Sequence, residues 1–283
     1  MNILIADAGS TKTDWALPDT TTGKHRLMQS EGINALLASE GMLHAVMKDV
    51  TAGIGTDTRV DAVCYYGAGC ATESACRRVE KVLREATGAD SVEVYGDLLG
   101  AARSLCGRKP GVACILGTGS NSCLYDGSGI RANTPPLGFI LGDEGSGTAF
   151  GKRLLSDAFK GGMPEEVRER FMERFGLTLA DVVENVYRSE RPGKYIAQFA
   201  RFVGENIEEP YIREMVKEEF RRFFHRNLSR YEGIRHLPVN FTGSIAHHLS
   251  ALLREAAESE GYRIGRITKS PMEGLLEYHL DRN

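Results

Sequence analysis

The stretch Ile3–Leu17, ILIADAGSTKTDWAL, decides the fold. An apolar run is followed by a Gly/Ser/Thr turn and then by a second β-favouring run, which is typical of a strand, a hairpin turn and a return strand. The stretch Val112–Tyr125, VACILGTGSNSCLY, has the same design. The two align on Gly9 and Gly119, a shift of 110 residues (119 − 9). This duplication predicts two related α/β lobes.

Both hairpin turns suit a phosphate group. Glycine lets backbone N–H groups approach an anion closely, and hydroxyl side chains add further donors. In the alignment Ser10 falls on Ser120, whereas the acidic Asp7 falls on Gly117. A single Asp facing a phosphate can hold a hydrated Mg²⁺, which keeps several of its waters. The alternative for the first hairpin is an ordinary tight turn capped by Asp7.

Composition favours a small-molecule partner. The 283 residues carry a net charge of -3 with mixed signs and no basic stripe, which argues against nucleic acid. No stretch approaches the roughly 20 apolar residues of a membrane span, and the first residues lack the pattern of a leader peptide. Six cysteines are scattered without a CxxC pair. We therefore expect a soluble, reduced, cytoplasmic protein without a membrane partner.

Hydrophobic patterning predicts strands interleaved with helices. The first lobe, residues 1–106, is expected to contain the hairpin, a helix, a strand, a helix and a strand, then a short helix over Leu98–Cys106. The second lobe, residues 107–270, is expected to be richer in helices, with a helix over about 271–283 returning to the first lobe. The predicted later elements are a strand at Val60–Tyr66, a helix at Ser74–Ala86, a strand at Ser91–Tyr95, a helix at Gly147–Phe159, a helix at Glu165–Phe175 opened by Pro164 as its first residue, a long helix through Ile212 and Leu228, a strand at Val239–Thr242 and a helix through Ala246 and Ala256.

Asp97 follows the predicted strand Ser91–Tyr95, where the next helix begins. One interpretation makes it the N-cap of that helix. The other makes it a general base, because a carboxylate beside a phosphate clamp can accept the proton of a substrate hydroxyl that attacks a γ-phosphoryl group. The two roles are compatible in one residue.

Adjacent carboxylates occur in Leu141–Gly147, LGDEGSG, immediately before an amphipathic helix. Side chains fixed at the start of a helix suit ligand recognition, which makes Asp143 and Glu144 candidate binding residues. Capping of the helix by Asp143 or Ser146 is the alternative.

Together these motifs resemble the superfamily of sugar kinases, Hsp70 and actin, and within it the N-acetylglucosamine kinases and the related BadF/BadG/BcrA/BcrD ATPases. IADAGSTKTDWAL resembles the first phosphate motif, ILGTGSNSCLY the second and FTGSIAHHLSALL the adenosine motif, while LGDEGS is specific to this branch. The resemblance covers nearly the whole chain. It implies two ribonuclease-H-like lobes, the duplicated actin-like ATPase fold, with an interlobe cleft.

The resemblance also implies roles for single residues. Asp97 would deprotonate the sugar 6-hydroxyl, and Asn34, Asp143 and Glu144 would bind the sugar. Asp7 would orient Mg²⁺ through water. The residues expected at ATP are Asp7, Gly9, Ser10, Thr11, Lys12, Thr13, Gly117, Thr118, Gly119, Ser120, Gly243 and Ser244. Where animal enzymes of the family have a Gly-Gly-Trp-like tract, this chain has Pro135–Phe139, which leaves the exact sugar open.

The implied activity is ATP-dependent 6-phosphorylation of an amino sugar, N-acetylglucosamine first, with glucosamine and N-acetylmuramic acid as alternatives. Two other classes stay open, a dehydratase-activating ATPase and a nucleotide-gated regulatory protein. The first of these would place a cluster-binding cysteine in the segment that here reads GDEGSGTAF, which has none. Enzymes of the resembled family often pair through their second lobe, so a homodimer is an expectation as well.

Overall fold

A computed structural model describes residues 2–9, 11–18 and 25–280. The chain forms two compact units. The first consists of Met1–Lys109, Gly127–Gly129 and Ser270–Asn283, and the second of Pro110–Asp126 and Ile130–Lys269. Each unit is built around its own five-stranded mixed sheet.

The sheet of the first unit has the strand order β3-β2-β1-β4-β5. Its strands are β1 (Ile3–Ala8), β2 (Lys12–Pro18), β3 (His25–Glu31), β4 (Ala62–Gly67) and β5 (Ser91–Gly96). The predicted hairpin is confirmed, because β1 pairs with β2 in antiparallel register, Ile5 opposite Ala16. β2 pairs with β3 antiparallel, whereas β1, β4 and β5 run parallel.

Helices cover both faces of this sheet. They are α1 (Glu40–Ile54), α2 (Glu73–Thr87), α3 (Asp97–Cys106) and α13 (Met272–Leu280). Strand residues alternate between the faces. Leu4 and Ala6 join the core formed with α1 and α2, whereas Ile3 and Ile5 join a second core with Leu275 of α13.

The second unit repeats the sheet plan in the order β10-β9-β6-β7-β8. Its strands are β6 (Gly111–Leu116), β7 (Ser120–Tyr125), β8 (Ile130–Asn133), β9 (Val239–Thr242) and β10 (Ile264–Thr268). β6 and β7 form the second predicted antiparallel hairpin, and β6, β9 and β10 run parallel. Read from β8 to β10, the second sheet has the same topology as the first sheet read from β3 to β5. The predicted duplicated α/β fold is confirmed.

The second unit carries the larger helical block. Its helices are α4 (Gly138–Leu141), α5 (Gly147–Lys160), α6 (Glu165–Phe175), α7 (Leu179–Tyr187), α8 (Pro192–Ala197), α9 (Ala200–Glu205), α10 (Pro210–Phe223), α11 (Ser244–His248) and α12 (Ser250–Ser259), with a π-helical turn at Phe224–Leu228 and a 3₁₀ turn at Ile234–His236. Their apolar faces bury a phenylalanine-rich core around Phe150, Phe171 and Phe220.

Three local predictions need correction. Pro164 is the N-cap before α6, not its first residue. The long helix through Ile212 and Leu228 is α-helical only to Phe223 and then widens into the π turn. The helix expected through Ala246 and Ala256 is two helices that meet at Leu249. In the part of the chain that the structure describes, no helix combines the length and apolarity that crossing a membrane requires.

Candidate active site

The carboxyl ends of three parallel strands bring two predicted residues to one edge of the first sheet. The register places Asp7 of β1 beside Tyr66 of β4, and Tyr66 beside Tyr95 of β5. One residue after β5 ends, Asp97 begins α3. The N-cap of α3 is Gly96, so the interpretation of Asp97 as the N-cap is wrong. Asp97 instead accepts a hydrogen bond at Oδ1 from the Leu98 N–H, 2.9 Å away.

Both carboxyls at this edge have raised pKa values. The pKa of Asp7 is raised to about 7, chiefly by burial and then by the negative charges of Asp14 and Asp97, against the opposing effect of Lys12. Burial also raises the pKa of Asp97, while backbone N–H groups lower it. A carboxylate whose charge is poorly solvated binds cations and accepts protons more strongly. This edge therefore attracts a cation and holds a potential base.

The first hairpin turn lies next to Asp7. The Gly9 N–H donates to the Lys12 carbonyl at 3.0 Å, which closes the turn. The Lys12 ammonium contacts the Asp14 carboxylate at 2.6 Å. Thr11 is exposed, whereas Thr13 is buried and its hydroxyl donates to the Glu31 carbonyl at 3.1 Å. Ser10 lies outside the described residues.

Asn34 follows β3 and contacts the loop after β4. Its Oδ1 accepts from the Leu36 N–H at 3.1 Å, and the Ala35 N–H donates to the Ala68 carbonyl at 2.8 Å. Gly69 has φ +78°, and a Cβ there would lie 2.3 Å from the Asn34 Oδ1. Glycine at 69 is therefore required for the two loops to approach each other. No hydrogen bond joins Asn34 to Asp97 among the described residues.

The second hairpin turn is fastened to the start of α5. The Gly117 N–H donates to the Gly119 carbonyl at 3.0 Å within the turn. The Gly117 and Thr118 carbonyls accept from the N–H groups of Gly147 and Thr148, at 2.8 and 3.0 Å. These bonds hold the tip of the turn in one place, as recognition of a ligand requires.

Asp143 reaches the same turn from a distant part of the sequence. Its Oδ1 accepts from the Ser120 N–H at 3.0 Å, and its backbone has φ +61°, which is strained for a residue other than glycine. A Cβ on Gly119 would lie 2.9 Å from the Asp143 carboxylate oxygens. Burial raises the pKa of Asp143, while Ser120 and Lys152 lower it. The N-cap of α5 is Ser146, as one alternative predicted for that residue, and not Asp143.

Glu144 faces another part of the second unit. Its carboxylate contacts the Arg226 guanidinium at 2.5 Å and accepts from the Asn227 side chain at 3.2 Å. Glu144 and Arg226 line a polar pocket of about 370 Å³, together with Lys152 and Arg222. Sequence reasoning missed Arg226 and Asn227, because they lie in a charged helical stretch that is typical of a solvated surface.

The Gly243–Ser244 turn connects β9 to α11. Gly243 has φ +117°, and a Cβ there would lie 2.2 Å from the Leu116 carbonyl of β6. Its N–H donates to the Thr268 carbonyl at 3.0 Å. Ser244 is the first residue of α11. The close approach explains this glycine without a ligand, and the role at ATP stays a prediction.

The donor sets fit a nucleotide and a hydrated metal. Within the described residues, no group of three or more His, Cys, Asp or Glu side chains could hold a metal by itself. Mg²⁺ suits such a site, since it keeps several waters and takes only one or two carboxylates with substrate phosphates. The Ser120 hydroxyl is buried at the second turn and has no hydrogen-bond partner among the described atoms.

Known structures share this fold over the whole chain. A structure from Porphyromonas gingivalis, termed a "putative N-acetylglucosamine kinase", is 42% identical, with a TM-score of 0.94 and 99% of each chain covered. One of the same description from Chromobacterium violaceum is 18% identical, with a TM-score of 0.79 and 98% of each chain covered. A ROK family glucokinase from Streptomyces griseus is 14% identical, with a TM-score of 0.60, 99% of this chain and 98% of that one covered. The last two show the fold alone. No family model matches the chain, and no curated protein does.

Proposed function

This chain belongs to the N-acetylglucosamine kinase family of ATP-dependent sugar kinases, and from that premise we propose that it phosphorylates the 6-hydroxyl of an amino sugar, N-acetyl-D-glucosamine first. The observation that carries the proposal is the carboxyl pair of the first unit. Asp97 begins α3 at the sheet edge that also carries Asp7, and both have raised pKa values. Phosphoryl transfer to a hydroxyl uses one carboxylate as the general base and another to orient the metal ion.

Asp97 is the proposed general base. Its Oδ1 is held by the Leu98 N–H, so the side chain has a defined orientation at the start of α3. As the sugar oxygen attacks the γ-phosphorus, Asp97 accepts the hydroxyl proton, and the bond from phosphorus to the leaving ADP oxygen breaks. Its raised pKa brings it closer to the working pH, where a general base is most effective.

Asp7 is the proposed residue that holds Mg²⁺ through water. When bound, the ion would neutralise charge on the transferring phosphoryl group. Asp7 shares this edge with two other carboxyls, Asp14 and Asp97, and their repulsion falls when a cation is present. The hydroxyls and backbone N–H groups of the two turns and of Gly243–Ser244 are the proposed ATP contacts. To contact ATP, the Lys12 ammonium would leave the Asp14 carboxylate and bind a phosphate oxygen.

Asn34, Asp143 and Glu144 are the proposed sugar-binding residues. The role of Asp143 is supported by its strained backbone and its buried carboxylate, which are maintained against a free-energy cost. The Glu144 carboxylate already contacts the Arg226 guanidinium and the Asn227 side chain. The tract Pro135–Phe139 precedes these residues and is the place where the choice among amino sugars is expected to be made.

A coupled assay of ADP release tests the proposal. The purified protein is given ATP with N-acetylglucosamine, glucosamine, N-acetylmuramic acid or no sugar, each with and without Mg²⁺. We expect sugar-dependent and Mg²⁺-dependent turnover, fastest with N-acetylglucosamine, and ³¹P NMR should identify a 6-phosphate monoester. If no sugar stimulates ADP release, the kinase proposal fails.

We also propose that the protein resides in the cytoplasm, where ATP is available, and that two copies pair. Light scattering after size-exclusion chromatography tests the pairing.

A further inference from the structure

Tyr65 of β4 is a fully buried side chain whose hydroxyl has no hydrogen-bond partner among the described atoms. Burying a hydroxyl without a partner costs free energy, and phenylalanine would fill the same space without that cost. The two neighbouring buried aromatics do not share this feature. The Trp15 N–H donates to the Ser30 hydroxyl at 2.9 Å, and the Tyr66 hydroxyl contacts Arg103 and His279 at 2.8 and 2.9 Å. The Tyr65 hydroxyl thus requires a separate explanation.

The ring of Tyr65 extends along β4 toward the edge that carries the two carboxyls. A Cβ on Gly67, two residues further along the strand, would lie 2.3 Å from the ring and 2.9 Å from the hydroxyl oxygen. Glycine at 67 therefore lets the phenol reach the carboxyl end of the strand. In the parallel register Gly67 lies between Ala8 and Gly96, the residues that follow Asp7 and precede Asp97.

The acidic groups at that edge act on the phenol. Burial raises the pKa of Tyr65 well above its usual range, and the Cys70 thiol and the carboxyls of Asp7 and Asp97 raise it further. Nearby negative charge keeps a phenol protonated, so its O–H stays a hydrogen-bond donor. A donor held close to carboxylates is placed to stabilise their charged form.

We propose that Tyr65 is a positioning residue for the kinase reaction, whose hydroxyl donates through one enclosed water to Asp97 and holds that carboxylate in the orientation of a base. A buried water that joins polar groups makes about three hydrogen bonds, and at this position the Tyr65 hydroxyl and the Asp97 carboxylate would be two of its partners. The hydroxyl acts through Asp97 and does not touch the sugar, because it is not accessible from solvent. The inference rests on the proposed function.

The test compares Tyr65→Phe with Tyr195→Phe. Tyr195 is a matched control, because its hydroxyl is also buried without a partner among the described atoms, but it lies in the second unit, where the one acid that acts on it is Asp181. We expect Tyr65→Phe to lower kcat about tenfold, the effect of losing one hydrogen bond to a charged group, with the KM for ATP unchanged. We expect Tyr195→Phe to leave kcat unchanged.

Two further measurements separate positioning from a structural role. If Tyr65 acts through Asp97, the double variant Tyr65→Phe/Asp97→Asn has the kcat of Asp97→Asn alone. Tyr65→Phe should also lower the Tm by about 2–4 °C, because a made hydrogen bond is lost, whereas removal of a true orphan leaves the Tm unchanged or raises it. Equal kcat and equal or higher Tm in Tyr65→Phe overturn the inference. If the wild-type protein phosphorylates no sugar, the proposed function fails, and the Tm comparison still decides whether the hydroxyl is bonded.

Discussion

The two hairpins share one backbone design but obtain their carboxylates differently. β1 carries Asp7 in the strand itself, whereas the position that the sequence alignment gives in the second hairpin is Gly117, the residue after β6. At the second turn the carboxylate comes from Asp143, 24 residues after Gly119 (143 − 119), and it accepts from the Ser120 N–H at 3.0 Å. The backbone frame has thus been kept in both copies while the charge is supplied locally in one and by a distant loop in the other.

The difference has a consequence for the glycines. In the first turn Gly9 has one neighbour at 3.3 Å from a built Cβ, the Lys12 carbonyl. In the second, Gly119 must be small because Asp143 lies against it, whereas Gly117 faces open space. Glycine is therefore required by different neighbours in the two turns.

The largest expected effect tests whether the first unit holds the base. Asp97→Asn keeps an oxygen that can accept from the Leu98 N–H but removes the proton acceptor, so we expect kcat to fall by about 10²- to 10⁴-fold with ATP binding retained. Steady-state kinetics and nucleotide titration measure the two effects. Asp90→Asn, an exposed carboxylate of the same unit, is the control and should not change kcat. Full activity in Asp97→Asn would remove the base role.

The next largest effect concerns Asp7 of β1 and tests how its raised pKa changes stability with pH. Because folding raises the pKa of Asp7 from 3.8 to about 7, the folded protein holds this proton longer than the unfolded chain, and stability should fall as pH rises from about 4 to 7. At pH 8 without Mg²⁺, Asp7→Asn should be more stable than the wild type by at most about 4 kcal/mol. At pH 4 the difference should vanish.

Urea unfolding at both pH values measures this difference. Asp49→Asn, at an exposed position on α1, is the control and should not reproduce the gain at pH 8. A difference between Asp7→Asn and the wild type that is the same at pH 4 and pH 8 would contradict the assigned cause.

A smaller effect tests the distant carboxylate of the second turn. In Gly119→Ala the new Cβ must displace the Asp143 carboxylate and weaken its bond from Ser120, which should lower the free energy of unfolding by about 1–3 kcal/mol. Gly117→Ala, which meets no atom within 4 Å, should be neutral or more stable by about 0.4–1 kcal/mol. Equal Tm values for the two variants would show that Asp143 yields without cost.

The smallest effect on stability concerns Lys12. The side chains of Lys12 and Lys81 are both 56% exposed, and the ammonium of each contacts a carboxylate, at 2.6 and 3.4 Å. Surface ion pairs of this kind contribute about 0.2–1 kcal/mol, so Lys12→Met and Lys81→Met should be similarly stable. If Lys12 contacts a phosphate, only Lys12→Met should weaken ATP binding, by severalfold in a nucleotide titration. Equal affinities in the two variants would exclude that contact.

Central strands could be predicted from the sequence, whereas three of the four edge strands could not. β1, β4 and β6 are apolar runs, and a buried strand needs such side chains. β3, β8 and β10 were not predicted as strands. Most side chains of β3 are exposed, and the strand is held by its backbone ladder to β2, which leaves no apolar alternation to detect.

The candidate site shows the same division. Asp7, Asp97 and Asp143 were recognised because each carboxylate stands beside glycine-rich turns after an apolar strand or before an amphipathic helix. Their surroundings were not predictable. Arg226 contacts Glu144 across 82 residues (226 − 144). The hydroxyl of Tyr65 has no partner among the described atoms, whereas that of the adjacent Tyr66 contacts Arg103. Neither fact has a signal in a local pattern.

The sequence by itself determined the duplicated sheet, the two turns and the acids beside them, because strand formation and turn chemistry depend on residues that are neighbours in the chain. The tertiary structure decided what each acid can do. Burial and the charges of Asp14 and Asp97 set the pKa of Asp7, and Asp143 comes to Ser120 only through a strained loop. Desolvation and electrostatic interactions depend on distance in space, and residues far apart in the chain acquire that distance only when it folds.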